Sequence, residues 1–169
     1  SDGGQDVLYG GEGADTLAIV STAFQRVAGG NGTDTLRLDG SGLTLNLTTL
    51  ADNTLTDNEV IDITGSGANT LTLDFQEVVN LSSTSNTLTV RANGDDTVNI
   101  GSGWFHAANQ IIDSVTYQVF TQGAATVLTE SSVTVNALND TPTLDALSNV
   151  SIAEDSSEQI VNLTGITAG

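Results

Sequence analysis

The sequence predicts an all-β chain: a parallel β-solenoid, then a capping hairpin, then the opening strands of a further module. Three observations predict it. Glycine-rich nonapeptides recur near the N-terminus, a threonine–apolar alternation recurs beyond them, and the composition suits turns and strands. Among 169 residues there are 18 glycines and one proline, and aromatic residues make up only 4%. Gly, Thr and Asn are poor helix formers. With so few aromatic rings, Leu, Val and Ile must fill the core in thin layers.

The nonapeptides come first along the chain. Gly10-Gly11-Glu12-Gly13-Ala14-Asp15-Thr16-Leu17-Ala18 fits the pattern G-G-x-G-x-D-x-U-x at every fixed position, where U is a large apolar residue, and Gly29-Gly30-Asn31-Gly32-Thr33-Asp34-Thr35-Leu36-Arg37 fits it equally well. A degraded copy, keeping Gly4, Asp6 and Leu8, lies one nonapeptide length before the first. Repeats of this kind stack as a calcium-binding parallel β-helix.

Beyond them a shorter unit persists, Asp or Asn followed by Thr and an apolar residue. It begins at Asp15, Asp34, Asn53, Asn69, Asn86 and Asp96. The first four intervals between these starts lie near the roughly 18 residues of a turn made from two nonapeptides. The last, from Asn86 to Asp96, is closer to half a turn. One strand–turn–strand coil is therefore expected per full interval. Alternation in Asn69–Leu73, Asn86–Val90 and Asp96–Ile100 places apolar residues on one face and threonines on the other. Thr16, Thr35, Thr54, Thr70, Thr87 and Thr97 are thereby expected to share one exposed column. The segment 74–81 is the one place where a short helix competes with an irregular coil side.

The texture changes after Gly103. Val115, Tyr117 and Val119 alternate with polar residues, Gly123-Ala124-Ala125 reads as a turn, and 126–135 reads as a returning strand. A hairpin here would cover the open end of a solenoid, which otherwise exposes apolar core and an unpaired edge. Asn139-Asp140-Thr141-Pro142-Thr143 reads as a linker stiffened by the single proline. Two strands are expected beyond it, around 150–155 and 159–163, too few for an independent domain. The expected division is 1–104 solenoid, 105–137 capping hairpin and 138–169 linker with a partial module.

Charge constrains function. Twenty-one acids face three arginines and no lysine, for a formal charge of −18. Phosphate neutralisation needs Lys and Arg, so a nucleic-acid partner is excluded, and an anionic membrane surface would repel the chain. Self-repulsion on this scale destabilises a compact state unless cations bind; a halophile's solvated surface is the alternative reading. Cysteine is absent, which removes disulfides and thiol chemistry, and no apolar run reaches the roughly 18 residues of a membrane span. Without an initiating Met or a signal peptide, the sequence reads as an internal or processed piece of something longer.

The nonapeptide suits calcium for a physical reason. Calcium takes six to eight oxygens at about 2.3–2.6 Å and accepts carbonyls alongside carboxylates. Glycines let a turn aim several carbonyls at one point, and turns stacked about 4.8 Å apart let one ion bridge two of them. The expected ligands are the carboxylates of Asp6, Asp15 and Asp34, with carbonyls near Gly11, Gly13, Gly30 and Gly32. Later turns, Gly65–Asn69 and Ser82–Asn86, replace Asp by Asn and lose glycine, so they are expected to stack through an asparagine ladder without an ion. Asn93-Gly94-Asp95-Asp96 reads either as another site or as a polar turn.

Nothing points to catalysis. No H-E-x-x-H, G-x-S-x-G or Cys–His pair occurs. His106, the one histidine, stands beside Trp104 and Phe105 and reads as a surface or cap residue. The acid pairs Asp95-Asp96 and Glu154-Asp155 have no accompanying sign of a sugar cleft. The chain is expected not to be an enzyme.

Residues 4–37 resemble the repeats-in-toxin (RTX) family of secreted bacterial calcium-binding proteins, whose solenoid is a β-roll. The stretch 10–135, with Gly65–Leu73 and Gly101–Trp104, is similar to a module of very large bacterial adhesins and cadherin-like surface proteins. Residues 138–169 resemble the start of an immunoglobulin-like or cadherin-like repeat. The resemblance implies secretion to the extracellular space or bacterial cell surface, folding on meeting millimolar calcium, and a role in adhesion or biofilm. It also implies a second calcium site at the junction, from Asn139, Asp140, Glu154 and Asp155. Only two perfect nonapeptides are present, which departs from a long calcium ladder. Expected partners are calcium and either further copies of the chain, in a filament or tandem array, or host-surface and matrix glycans. Strand donation between protomers is one alternative. A threonine face binding polysaccharide or ice is the other.

Overall fold

The structure is a computed structural model that describes residues 4–82 and 85–138. The compact unit to which these residues belong ends at Leu138. Strand accounts for 52% of the described residues, so the chain is all-β.

Among the described residues, fourteen strands build three sheets. The first sheet holds β1 (Val7–Glu12), β3 (Arg26–Asn31) and β6 (Leu55–Thr56). The second, of seven strands, begins with β2 (Thr16–Ile19), β4 (Thr35–Leu38), β7 (Val60–Asp62) and β9 (Thr87–Arg91). Its other half is β13 (Ala125–Glu130), β12 (Val115–Gln122) and β11 (Phe105–Ile112). The third sheet holds β5 (Thr44–Asn46), β8 (Thr70–Thr72), β10 (Thr97–Ser102) and β14 (Thr134–Leu138). The chain thus visits the sheets in rounds. All pairings are parallel except β11–β12 and β12–β13, which are antiparallel.

Register aligns apolar residues in columns. Leu17, Leu36, Ile61 and Val90 are successive neighbours across the second sheet, and Leu45, Leu71, Val98 and Val135 across the third. Leu36, Ile61, Leu71, Val90 and Val98 are each fully buried. Burial of one such side chain contributes about 1.5–3 kcal/mol. This is the thin aliphatic core that the composition predicts.

The rounds are not uniform. The first return, from Val7 to Arg26, has close to the length of two nonapeptides, as expected. Later returns are longer: Val60 pairs onward with Thr89, and Thr87 with Thr126, the latter return about twice the first. A helix, α1 (Phe75–Leu81), accounts for part of the added length; Asp74 caps it by accepting from the N–H groups of Gln76 and Glu77. Val78 and Leu81 on its inner side are buried in the core. The expectation of one coil per two nonapeptide lengths therefore fails after the second nonapeptide.

The threonine column fails with it. Thr16 and Thr35 are neighbours in the second sheet, but the next residue in that column is Val60. Thr54 lies in the turn before β6. Thr70 and Thr97 belong to the third sheet, and Thr87 pairs with Thr126. Beside Thr35, Arg37 stands out from the same face and pairs with Asp39 at 2.6 Å.

The hairpin turn falls at Gly123 and Ala124 as expected, between β12 and β13. The returning strand is broken, however. A turn at Ser131–Val133 ends β13 and directs β14 into the third sheet beside β10. His106 is exposed and stacks on Phe120 with ring centres 4.8 Å apart. Trp104 donates its indole N–H to the carbonyl of Ile100. No helix among the described residues is long and apolar enough to cross a membrane.

Candidate cation-binding turns

The two nonapeptide turns lie directly on one another. Gly11 neighbours Gly30 and Glu12 neighbours Asn31 in the β1–β3 ladder. The N–H of Gly13 donates to the carbonyl of Asn31 at 2.8 Å, and Asn31 Nδ2 donates to Glu12 Oε1 at 2.8 Å. The glycines are required by contact as well as by conformation. A Cβ on Gly30 would stand 2.2 Å from the Gly11 carbonyl oxygen, and one on Gly32 1.9 Å from that of Gly13, with φ at +113° and +142°. Only glycine permits this backbone and this approach together.

Each repeat aspartate sits immediately before a strand of the second sheet, and Asp34 does two things there. Through Oδ1, Asp34 accepts the backbone N–H of Asp15 at 2.8 Å, which locks one turn to the next. Its Oδ2 is buried without a hydrogen-bond partner, and so is Oδ2 of Asp15. Asp34 is 0% exposed. A buried carboxylate oxygen lacking a partner is costly unless a cation or donor meets it.

A backbone carbonyl accompanies each of these oxygens. A Cβ on Gly10 would stand 2.3 Å from the Gly29 carbonyl oxygen and 2.9 Å from Asp15 Oδ2. One on Gly29 would stand 1.8 Å from the Asp57 carbonyl oxygen and 2.7 Å from Asp34 Oδ2. The same motif thus occurs twice: the first glycine of a nonapeptide, the carboxylate of that nonapeptide, and a carbonyl from the next round. Among the described residues no three His, Cys, Asp or Glu side chains converge as a metal cluster. An ion here would draw on backbone oxygen, which calcium accepts readily and softer metals do not.

Sequence reasoning singled out Asp15 and Asp34 but not the backbone groups that the structure sets beside their carboxylates. The carbonyls of Gly11 and Gly13 lie against the Cα atoms of Gly30 and Gly32, whereas those beside the carboxylates belong to Gly29 and Asp57. The first glycine of each nonapeptide was the available signal, because the pattern fixes it without giving it a ligand role. Asp6 is not brought to this corner. It precedes the opposite end of β1, where its carbonyl accepts from the N–H groups of Gln25 and Arg26. The matching position of the next round is Gln25, so that edge carries no second carboxylate there. Asn139, Asp140, Glu154 and Asp155 lie outside the described residues.

A second ladder provides an internal contrast. Leu43 donates its N–H to Asn69 Oδ1 at 2.7 Å, and Asn69 donates its own to Asp96 Oδ1 at 2.8 Å. Asp96 Oδ2 accepts the N–H of Asn93 at 2.6 Å. Both oxygens of this buried aspartate therefore have backbone donors. Asn69 also bonds within its own turn, its Nδ2 donating to the carbonyl of Ile63 at 2.9 Å.

Compared with family models, curated proteins and solved structures, the chain matches none.

Proposed function

We propose that this chain is a calcium-stabilised extracellular module with a structural or adhesive role, built as a β-solenoid within a larger secreted bacterial surface protein. One observation carries the reading: Asp15 and Asp34 each hold a buried Oδ2 without a hydrogen-bond partner, beside a carbonyl of the following round. Asp96, at the same kind of position on the other ladder, has both oxygens bonded. The contrast is what a cation-binding role for Asp15 and Asp34 predicts. The formal charge of −18 supports the same conclusion, since bound calcium relieves the repulsion among crowded carboxylates. Asp15, Asp34 and the carbonyls of Gly29 and Asp57 would hold the ions, and calcium would link successive rounds as they fold.

Circular dichroism and thermal melts of the chain in chelator and in millimolar calcium test this. A calcium-dependent rise in melting temperature is expected. Superimposable melts would refute the reading.

A carbohydrate-facing reading has one observation of its own. The outer positions of the third sheet are Thr44, Thr70, Thr97 and Thr134 in one column and Asn46, Thr72, Asn99 and Asn136 in the next. None of the eight is charged. Asn136 donates to Asn99 at 3.0 Å, and Asn99 to Thr72 at 3.2 Å. A neutral polar face suits a neutral glycan, and retention on a glycan column is the measurement for it.

A further inference from the structure

The third round contains no nonapeptide, yet it continues the acidic ladder. The strand-start neighbours Thr16, Thr35 and Val60 form one column across β2, β4 and β7. The residues just before them are Asp15, Asp34 and Glu59. Glu59 repeats the bond of the motif aspartate: its Oε2 accepts the N–H of Asp34 at 2.9 Å, as Asp34 Oδ1 accepts that of Asp15 at 2.8 Å. A glutamate reaches one methylene further than an aspartate, and this turn needs the reach because it is shorter. Ala28 pairs with Thr56 and Thr35 with Val60, so the second round spends seven steps between these positions and the third only four (35 − 28 and 60 − 56). Asp57 makes the tight turn in a left-handed conformation, φ 53°, which Asp tolerates better than most residues.

The short turn leaves room beneath the long ones. A cavity of about 320 Å³ is lined by Gly30, Asn31 and Gly32 of the second round, by Asp57 and Glu59 of the third, and by Glu12 of the first. At the same turn, the fully buried Asp34 holds its Oδ2 without a partner, and both that oxygen and the Asp57 carbonyl lie against Gly29. A carboxylate oxygen without a donor, a carbonyl and a second carboxylate therefore belong to one turn where the motif has stopped.

We propose that Asp57 and Glu59 complete a second calcium site, taking the Asp34 carboxylate on one side and the Asp57 carbonyl and Glu59 carboxylate on the other. It rests on the calcium reading above and extends it to residues that match no repeat. An all-oxygen set containing carbonyls suits calcium; magnesium demands near-ideal octahedral geometry and keeps its waters. The ion ends the row. Val60 pairs onward with Thr89, so the position beside Glu59 in the next strand is Leu88 and the row of acids stops there.

Calorimetric titration of the 169-residue chain with calcium chloride, checked by native mass spectrometry, tests it. Glu59→Gln should bind one ion fewer than the unsubstituted chain and keep the ion that Asp15→Asn removes. An unchanged count and affinity in Glu59→Gln, with calcium still bound, overturns this site alone. No calcium bound by the unsubstituted chain overturns the parent reading as well. Should Glu59→Gln not fold in calcium, Glu59→Asp keeps the charge with a shorter reach and should weaken one ion by tenfold or more. Undiminished binding of every ion in that variant overturns the proposal.

Discussion

Asp34 accepts the backbone N–H of Asp15 at 2.8 Å through one carboxylate oxygen while its other oxygen is buried without a partner. The first contact sets the register of two rounds and needs no charge, because an amide oxygen would serve. The second is where charge matters. Separating the two roles makes the calcium reading testable by a single atom change.

Asp34→Asn keeps the acceptor for Asp15 and removes the charge. In calcium, its stability should fall by about 2.7 kcal/mol, the linkage value for one site at a hundredfold excess of ion over Kd. In chelator the same substitution should be neutral or stabilising, since it removes an uncompensated buried charge. Calorimetric melts in the two conditions check it. An equal loss in both would make Asp34 an ordinary turn residue.

Asn69→Ala leaves the Leu43 N–H and the Ile63 carbonyl without their bonds. The expected loss is about 1–3 kcal/mol, equal with and without calcium. Denaturant unfolding in both conditions measures it. Asp95→Ala, in an exposed turn, serves as the control. Asp74 does not, because its cap on α1 is worth about 0.5–2 kcal/mol.

Gly32→Ala should destabilise the chain by about 2 kcal/mol or more, because a Cβ there meets the Gly13 carbonyl oxygen at 1.9 Å and φ is +142°. The same substitution at Gly42, where nothing lies within 4 Å, should cost only the conformational part, about 1 kcal/mol. Urea midpoints for the two variants make the comparison.

Glu77 provides the pH test. Burial, with the nearby charges of Asp74 and Asp52, pushes its carboxyl up to about 7. Between the ordinary carboxyl value of 4.5 and about 7, the folded chain holds a proton that the unfolded chain has released. Stability from this group therefore falls as pH rises through that window and is flat above it. Glu77→Gln should melt higher than the unsubstituted chain at pH 8, and the gap should close as pH falls towards 4.5. A gap that widens on acidification would reverse the sign.

Residues with local causes were legible in the sequence. The pairing of Thr16 with Thr35 follows from two nonapeptides of equal length, and the turn at Gly123 from glycine between alternating strands. Thr54 was misplaced because its Asn-Thr-Leu context copies that of other rounds, while the sheet it enters is set by Leu55 pairing beside Val27. Glu59 was illegible for a different reason. Its place in the acidic ladder depends on a shortened turn, and a glutamate before Val-Ile resembles no repeat. Asp6 has the right residue in a degraded motif, but one strand length puts it on the opposite edge from Asp15.

The lengthening of the rounds can be set on an entropic scale. Going from the Val7–Arg26 return to the Thr87–Thr126 return roughly doubles the loop. In a flexible chain a doubling adds about 0.6 kcal/mol of closure entropy, less than a typical net hydrogen bond contributes. Insertion of α1 and of the β11–β12 hairpin is therefore thermodynamically minor, and loop length exerts little control over where a strand lands. Fidelity of threading falls instead to the side chains that read one round from the next. Asp34, Glu59, Asn69 and Asp96 each hold a single backbone N–H of the preceding round.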